Sequence, residues 1–364
     1  MARVFKSISI FFVLLCIAIL AIFLFSIAKS AIIPLYSIKI THTPDLNAFI
    51  NKNLEDKNVY NYFPKSYKYK LAELNNNQIS EKLIAKYEFK KFFITNTIHD
   101  KTLTEDYTKF KTYIVQNNLF EKNFNWKFLT NGDSVHPENA GIKVAAIGSF
   151  FVLIVFCAIT IPCGILVGLY ISEFLPRGNF RNILKINIQN LASIPSIIYG
   201  IIVLNILING FGLVRASALV GGIALSLLIL PMIVMITYNA ASMVPQSYKD
   251  ACLALGLSKV QTVFIITLPM AMPRVITGIL LAIARAAGET APLIIVGMAF
   301  FASNTPSSII SDASTTLPLQ IFLWTSNPKE VFIEYASSAI LIFIIFLTSI
   351  NFIIHRIRSK MMQK

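Results

Sequence analysis

Charge is scarce in this chain. Asp, Glu, Lys and Arg make up 14% of the 364 residues, against 55% hydrophobic, too few to clothe a soluble particle. No glycine is followed by lysine, so the Gly-x4-Gly-Lys-Ser/Thr phosphate cradle is absent and the chain does not hydrolyse ATP by that route. Gly-x-Ser-x-Gly and His-Glu-x-x-His are missing too, which removes the parts of an intramembrane hydrolase. The 4 cysteines make no framework: Cys16, Cys157 and Cys163 sit in apolar runs, Cys252 in a polar one, and residues 31–141 contain none. His42, His99, His136 and His355 are scattered without metal-ligand spacing, so neither a metal nor a cofactor is expected. Arginine, finally, is absent from residues 31–141.

Long apolar runs are what the chain does have. Six of them, at 8–28, 145–170, 188–207, 217–238, 275–301 and 336–354, approach or exceed the roughly 20 residues that cross a ~30 Å hydrocarbon layer. The expected class is an all-α polytopic membrane protein with six transmembrane helices. Asn190, Ser193 and Pro195 weaken the start of the third run. The first is expected to be an uncleaved anchor (residues 1–30), because about twenty apolar residues exceed the ~7–15 of a signal-peptide core.

The net charge of +14 follows the membrane, not a nucleic-acid face. Arg3 and Lys6 precede the first run; Arg177, Arg181 and Lys185 separate the second from the third. Lys249, Lys259 and Arg274 separate the fourth from the fifth, and a basic tail (356–364) carries Arg356, Arg358, Lys360 and Lys364. The opposite short loops hold Arg215 and Lys329. This distribution places both termini in the cytoplasm. Residues 31–141 then form an external polar insertion between the first two spans, with 15 Lys against 12 acids and no Arg, long enough for a small domain, with amphipathic patterns at 79–93 and 103–115. An accessory insertion is the expected reading over a ligand-binding one.

The cytoplasmic loop 239–274 carries a compact pattern. Pro245 suits a first helical position and 246–255 reads as helix. Gly256 is a left-handed stop, Ser258 an N-cap, and 259–268 a second helix ending before Pro269. Ala251 and Leu255 share a face at i, i+4, a small apolar surface fit for a partner's groove. A plain amphipathic connector lying on lipid fits the spacing equally well.

In the fifth run stand two charges. Arg285 falls near mid-membrane, where an arginine costs at least ~2.5–3.5 kcal/mol on insertion scales and needs a partner or a polar path. Glu289, at i+4, is the nearest candidate partner, although Arg before Glu is the weaker helical order. The pair reads either as an internal lock or as an anion contact that Glu289 holds and releases, since guanidinium suits phosphate oxygens. Gly288 and Pro292 invite a break there that frees backbone groups. Pro195 and Pro231 are expected kinks. Ser196, Tyr199 and Thr290 are candidate hydroxyl donors, although membrane hydroxyls often bond the preceding turn.

Asp250, Ala251, Cys252, then Gly256, Ile266, Leu268 and Pro269 resemble, in identity and spacing, the EAA loop of ABC-importer permeases. Asp250 replaces the usual Glu and Cys252 the second Ala. The runs Ser193-Ile194-Pro195-Ser196-Ile197-Ile198-Tyr199-Gly200, Gly168-Leu169-Tyr170-Ile171-Ser172-Glu173 and Ala284-Arg285-Ala286-Ala287-Gly288-Glu289-Thr290-Ala291-Pro292-Leu293 are similar to the phosphate-importer permeases, and the last run is closer to the PstA type than to its PstC partner. The likeness covers about 141–355; the insertion and Asn239-Ala240 depart from it. It implies a type I ABC-importer permease core over 142–355, a bacterial inner-membrane location and an ATPase-docking loop at Asp250–Pro269. It further implies phosphate import by alternating access with a PstC-like permease, two PstB-like ATPase subunits and a periplasmic PstS-like binding protein. A permease for molybdate or sulfate is the nearest rival. A membrane receptor or scaffold leaves the docking pattern unexplained.

Overall fold

The computed structural model describes residues 2–40, 120–135, 139–329 and 331–362. The helical patterns expected at 79–93 and 103–115 lie outside the described residues. The chain divides into two units, Met1–Trp126 and Lys127–Lys364.

The first unit begins with α1 (Ala2–Leu35), whose segment Leu14–Ile32 is apolar and long enough to span a bilayer. From there β1 (Tyr36–Ile40) pairs antiparallel with β2 (Phe120–Phe124), Tyr36 opposite Phe124. Asn125 ties this pair back to α1: its backbone amide donates to the Leu35 carbonyl at 2.8 Å and its Nδ2 to the Pro34 carbonyl at 3.0 Å. The insertion therefore leaves and re-enters through a two-stranded neck, a local exception to the all-α expectation.

The second unit is built around α6 (Ala218–Ser242). It packs along α3 (Lys143–Leu169), which ends in a π-turn at Tyr170–Phe174. Without a hydrophobic drive between helices in lipid, close packing must come from small residues. A Cβ on Gly164 would meet Ile233 Cγ2 at 2.5 Å, and one on Gly222 would meet Val155 at 2.5 Å. Pro231 is accommodated within the continuous α6.

Three expected boundaries shift. The run at 188–207 is no single span. The helices α4 (Asn179–Leu191) and α5 (Ser196–Val203, then a π-turn Leu204–Gly210) meet at 92° across Ala192–Pro195, where extended Pro195 ends any helical path. Nor does the helix after Ser258 end before Pro269. Here α8 (Lys259–Thr262) passes through a π-turn (Val263–Thr267) into α9 (Leu268–Gly288), one continuous stretch of 30 residues. The wider turn changes the hydrogen-bond register just before Pro269, with the Leu268 amide donating to the Val263 carbonyl, and so admits a residue that has no N–H. The fifth span correspondingly starts earlier than residue 275 and stops at Gly288, well short of 301.

The outer part of this unit is closed by rings. A short α2 (Trp126–Thr130) brings Phe128 against Trp324 of α11 (Leu317–Thr325), with centroids 6.2 Å apart, and against Tyr335 of α12 (Val331–Met362) at 5.4 Å. Trp324 Nε1 donates to Asp133 Oδ1 at 2.9 Å. Counting the bent α4–α5 pair as one, the described helices offer up to 6 spans.

Candidate translocation site and docking loop

The cytoplasmic loop expected to dock the ATPase folds much as its residues direct. Helix α7 (Gln246–Ala254) starts at extended Pro245 and stops at Gly256, whose φ of +84° is the left-handed region that glycine enters freely. The Leu257 amide then closes on the Cys252 carbonyl at 3.1 Å. Ser258 caps α8 in a full capping box: its Oγ accepts the Gln261 amide, and the Gln261 side chain accepts the Ser258 amide at 2.8 Å. Outward, the loop presents Asp250, Ala251 and Leu255, the last 80% exposed, together with Tyr248, Val260, Phe264 and Ile265. Cys252, Ile266 and Leu268 are half-buried, and Pro269 is exposed. Asp250 Oδ1 accepts Gln246 Nε2 at 3.0 Å.

The depth of Arg285 follows from packing. Antiparallel to α6, α9 sets Ala271 and Val275 against Ala240 and Val244, and Gly278 against Ile236. Seven further residues at 1.5 Å each carry Arg285 about 10 Å along, level with the middle of α6. Ala282 and Ala286 accordingly share an apolar cluster with Leu225, Ile229, Tyr199 and Leu293. On the opposite face Met270, Arg274, Thr277, Leu281, Arg285 and Gly288 are exposed, one stripe along the helix. A guanidinium at that depth does not belong against lipid.

Beside it the helix ends. In an unbroken helix the ring of Pro292 would collide with the Gly288 carbonyl and leave it without a donor. The chain breaks instead: Glu289 is extended (φ −78°, ψ 130°), and a short α10 (Ala291–Ile295) follows before Gly297 turns at φ +91°. Gly200 of α5 packs directly on Pro292, where a Cβ would lie 2.8 Å from the Pro292 carbonyl oxygen.

These facts sort the candidate residues. Glu289 is half-buried but off the helix, and among the described residues neither an ion pair nor a side-chain hydrogen bond joins it to Arg285. The i, i+4 lock is not formed, because i+4 is no longer helical. Thr290 and Ser196 are half-buried, and their hydroxyls have no partner among the described residues. Tyr199 is buried and donates its hydroxyl to the Leu191 carbonyl at 2.7 Å, fastening α5 to α4 across their break.

One cluster escaped the sequence reading. Lys249 of α7 is 8% exposed, and its Nζ lies 2.7 Å from Oε1 of Glu173 in the π-turn that ends α3. Glu173 was visible only as part of a motif, and Lys249 only as one of the inner-side charges. The partners stand 76 positions apart, and no local pattern links them.

Residues 160–363, more than half of the chain, match the family described as binding-protein-dependent transport system inner membrane component. The chain belongs to that family. It is therefore a multi-pass inner-membrane protein, the membrane-spanning subunit of an ABC-type transport system. Among its relatives is a probable ABC transporter permease protein, YqgI, of Bacillus subtilis, 31% identical over 249 residues, which cover 64% of this chain and 82% of that one. Another is the phosphate transport system permease protein PstA of Mycobacterium leprae, 33% identical over 220 residues, which cover 60% of this chain and 71% of that one. A solved inward-facing methionine ABC transporter, MetNI, superimposes with a TM-score of 0.47 at 16% identity, over 60% of this chain and 96% of that one.

Proposed function

We propose that this permease subunit carries inorganic phosphate inward, and that the exposed stripe of α9 lines the path. The observation that carries this reading is Arg285: an exposed guanidinium level with the middle of α6, beside a helix that ends inside the membrane. A guanidinium fork matches phosphate oxygens in pairs, and a broken helix leaves unpaired backbone groups and hydroxyls around the ion. Thr290 and Ser196, whose hydroxyls have no partner among the described residues, add donors. Glu289 is near enough in sequence to take the guanidinium when phosphate leaves. Tyr199 shapes the path through its bond to Leu191 and leaves the contact to the others. Relatives named as phosphate permeases support the choice of ion.

The exposed faces of α7 and α8 receive the ATPase. ATP is hydrolysed on separate PstB-like subunits, two per transporter, and a PstC-like permease completes the membrane pair. A periplasmic PstS-like protein delivers the ion. In this arrangement both termini are cytoplasmic, residues 1–30 anchor the chain and the insertion 31–141 is periplasmic. Residues 142–355 form the transport core, with the docking loop at 239–274 and a basic tail at 356–364. No metal or cofactor enters the scheme. Transport is by alternating access, the spans rocking as the ATPase pair closes.

Molybdate and sulfate have similar geometry, so competition decides among the three. Labelled phosphate uptake is expected to vanish in cells lacking this chain and to return with the wild-type gene. It should also resist a hundredfold excess of molybdate or sulfate. Unchanged phosphate uptake on deletion, in cells that express the chain, would reject phosphate as cargo.

A further inference from the structure

The Lys249–Glu173 pair lies where three helix ends and the docking helix meet. Besides Lys249, Glu173 Oε1 accepts Ser172 Oγ at 2.9 Å, and Ser172 Oγ lies 3.2 Å from Ser242 Oγ at the end of α6. Lys249 Nζ also reaches the Ala241 carbonyl of α6 at 3.5 Å. From α4, Arg181 donates to the carbonyls of Ser172 and Leu175, the latter at 2.6 Å. One polar knot thus gathers the inner ends of α3 and α6, the start of α4, and α7.

Lys and Glu are almost never buried unless paired, and here each side chain is 10% exposed. Their position matters more than their strength. On the chain, α7 hangs from α6 by the short link Met243–Pro245, extended at Pro245. Val244 of that link is buried beside Ala271 and Val275, which anchors the start of α7 and leaves its body to pivot about Pro245. Lys249 closes that freedom, because it fixes the middle of α7 to the terminal turn of α3. That turn is a π-turn, a wide and adjustable ring often found where helices do work. Since α3 and α6 are knitted by glycine contacts along their length, displacement at Glu173 moves both.

We infer that the Lys249–Glu173 pair is the strut that converts displacement of the docked ATPase into movement of α3 and α6. Both are positioning residues: neither belongs to the exposed docking face nor to the stripe around Arg285. The inference rests on the docking and phosphate readings above, and its test separates the three.

The assay is the complete importer in proteoliposomes, with partner permease, ATPase and binding protein, followed for phosphate uptake and ATP hydrolysis together. The informative variant is K249M/E173Q, which removes both charges and strands neither in a buried place. It is expected to retain the ATPase on co-purification and to hydrolyse ATP. Phosphate moved per ATP should fall at least tenfold, and stimulation of hydrolysis by the loaded binding protein should vanish. The swap K249E/E173K should recover a large part of both. A wild-type ratio in K249M/E173Q overturns the strut. So does loss of ATPase association in K249M/E173Q that the swap does not repair, which would make the pair part of assembly. Failure of the docking reading appears separately, as wild-type association after the docking glycine is replaced. Failure of the phosphate reading appears as absence of uptake by the wild-type importer.

Discussion

Arg285 and Trp324 show what single residues contribute here. Arg285 was legible because a charge in an apolar run must be explained by something, and the packing of Gly278 on Ile236 fixes how deep it lies. What the run did not show was that Glu289 stands beyond the helix end, so an apparent ion pair dissolves into two separately placed groups. Trp324 works in the opposite way, by filling space. It is 2% exposed, ringed by Phe128, Phe332 and Tyr335, and bonded to Asp133. Trp324→Ala is expected to destabilise the second unit by about 3–5 kcal/mol. Trp324→Phe, which keeps a ring and gives up the bond to Asp133, should cost nearer ~1 kcal/mol. Thermal unfolding of the purified subunit in detergent checks both, and equal midpoints for the two variants would contradict the assignment.

Among the elements, the α7–α8 knob was the most readable because its signals are local. Pro245, Gly256 and Ser258 each dictate one backbone state, and each adopts it. The continuation through Pro269 was not readable, since a π-turn has no sequence signature comparable to a cap. The bend between α4 and α5 was half-readable: Ser193 and Pro195 weakened the run, but an 92° corner depends on what Tyr199 and Gly200 meet in space. The knob also yields a sharp expectation. Gly256→Pro cannot adopt φ +84°, because proline is held near −65°. The α7–α8 turn should therefore open and ATPase association be lost, while the chain still inserts. Co-purification of the ATPase at wild-type yield would remove α7 and α8 as its docking surface.

At the scale of the whole subunit, composition sufficed for the class, since a chain so apolar has nowhere to go but a membrane. The spacing of the docking loop sufficed for the family, which the match over residues 160–363 bears out. The contacts that join distant elements were not accessible to that reading: Lys249 with Glu173, Phe128 with Trp324 and Tyr335, Gly200 with Pro292. The first joins α7 to the end of α3, the second closes the outer part of the unit, and the third seats α5 on the broken helix. In this scheme the ion passes Arg285, and the decisive variant is Arg285→Gln in the reconstituted importer. Assembly and ATPase association should remain intact while labelled phosphate uptake falls at least a hundredfold, with partial recovery in Arg285→Lys. Uptake by Arg285→Gln near the wild-type rate would take Arg285 out of the ion's path and leave it as a contact between the two permeases.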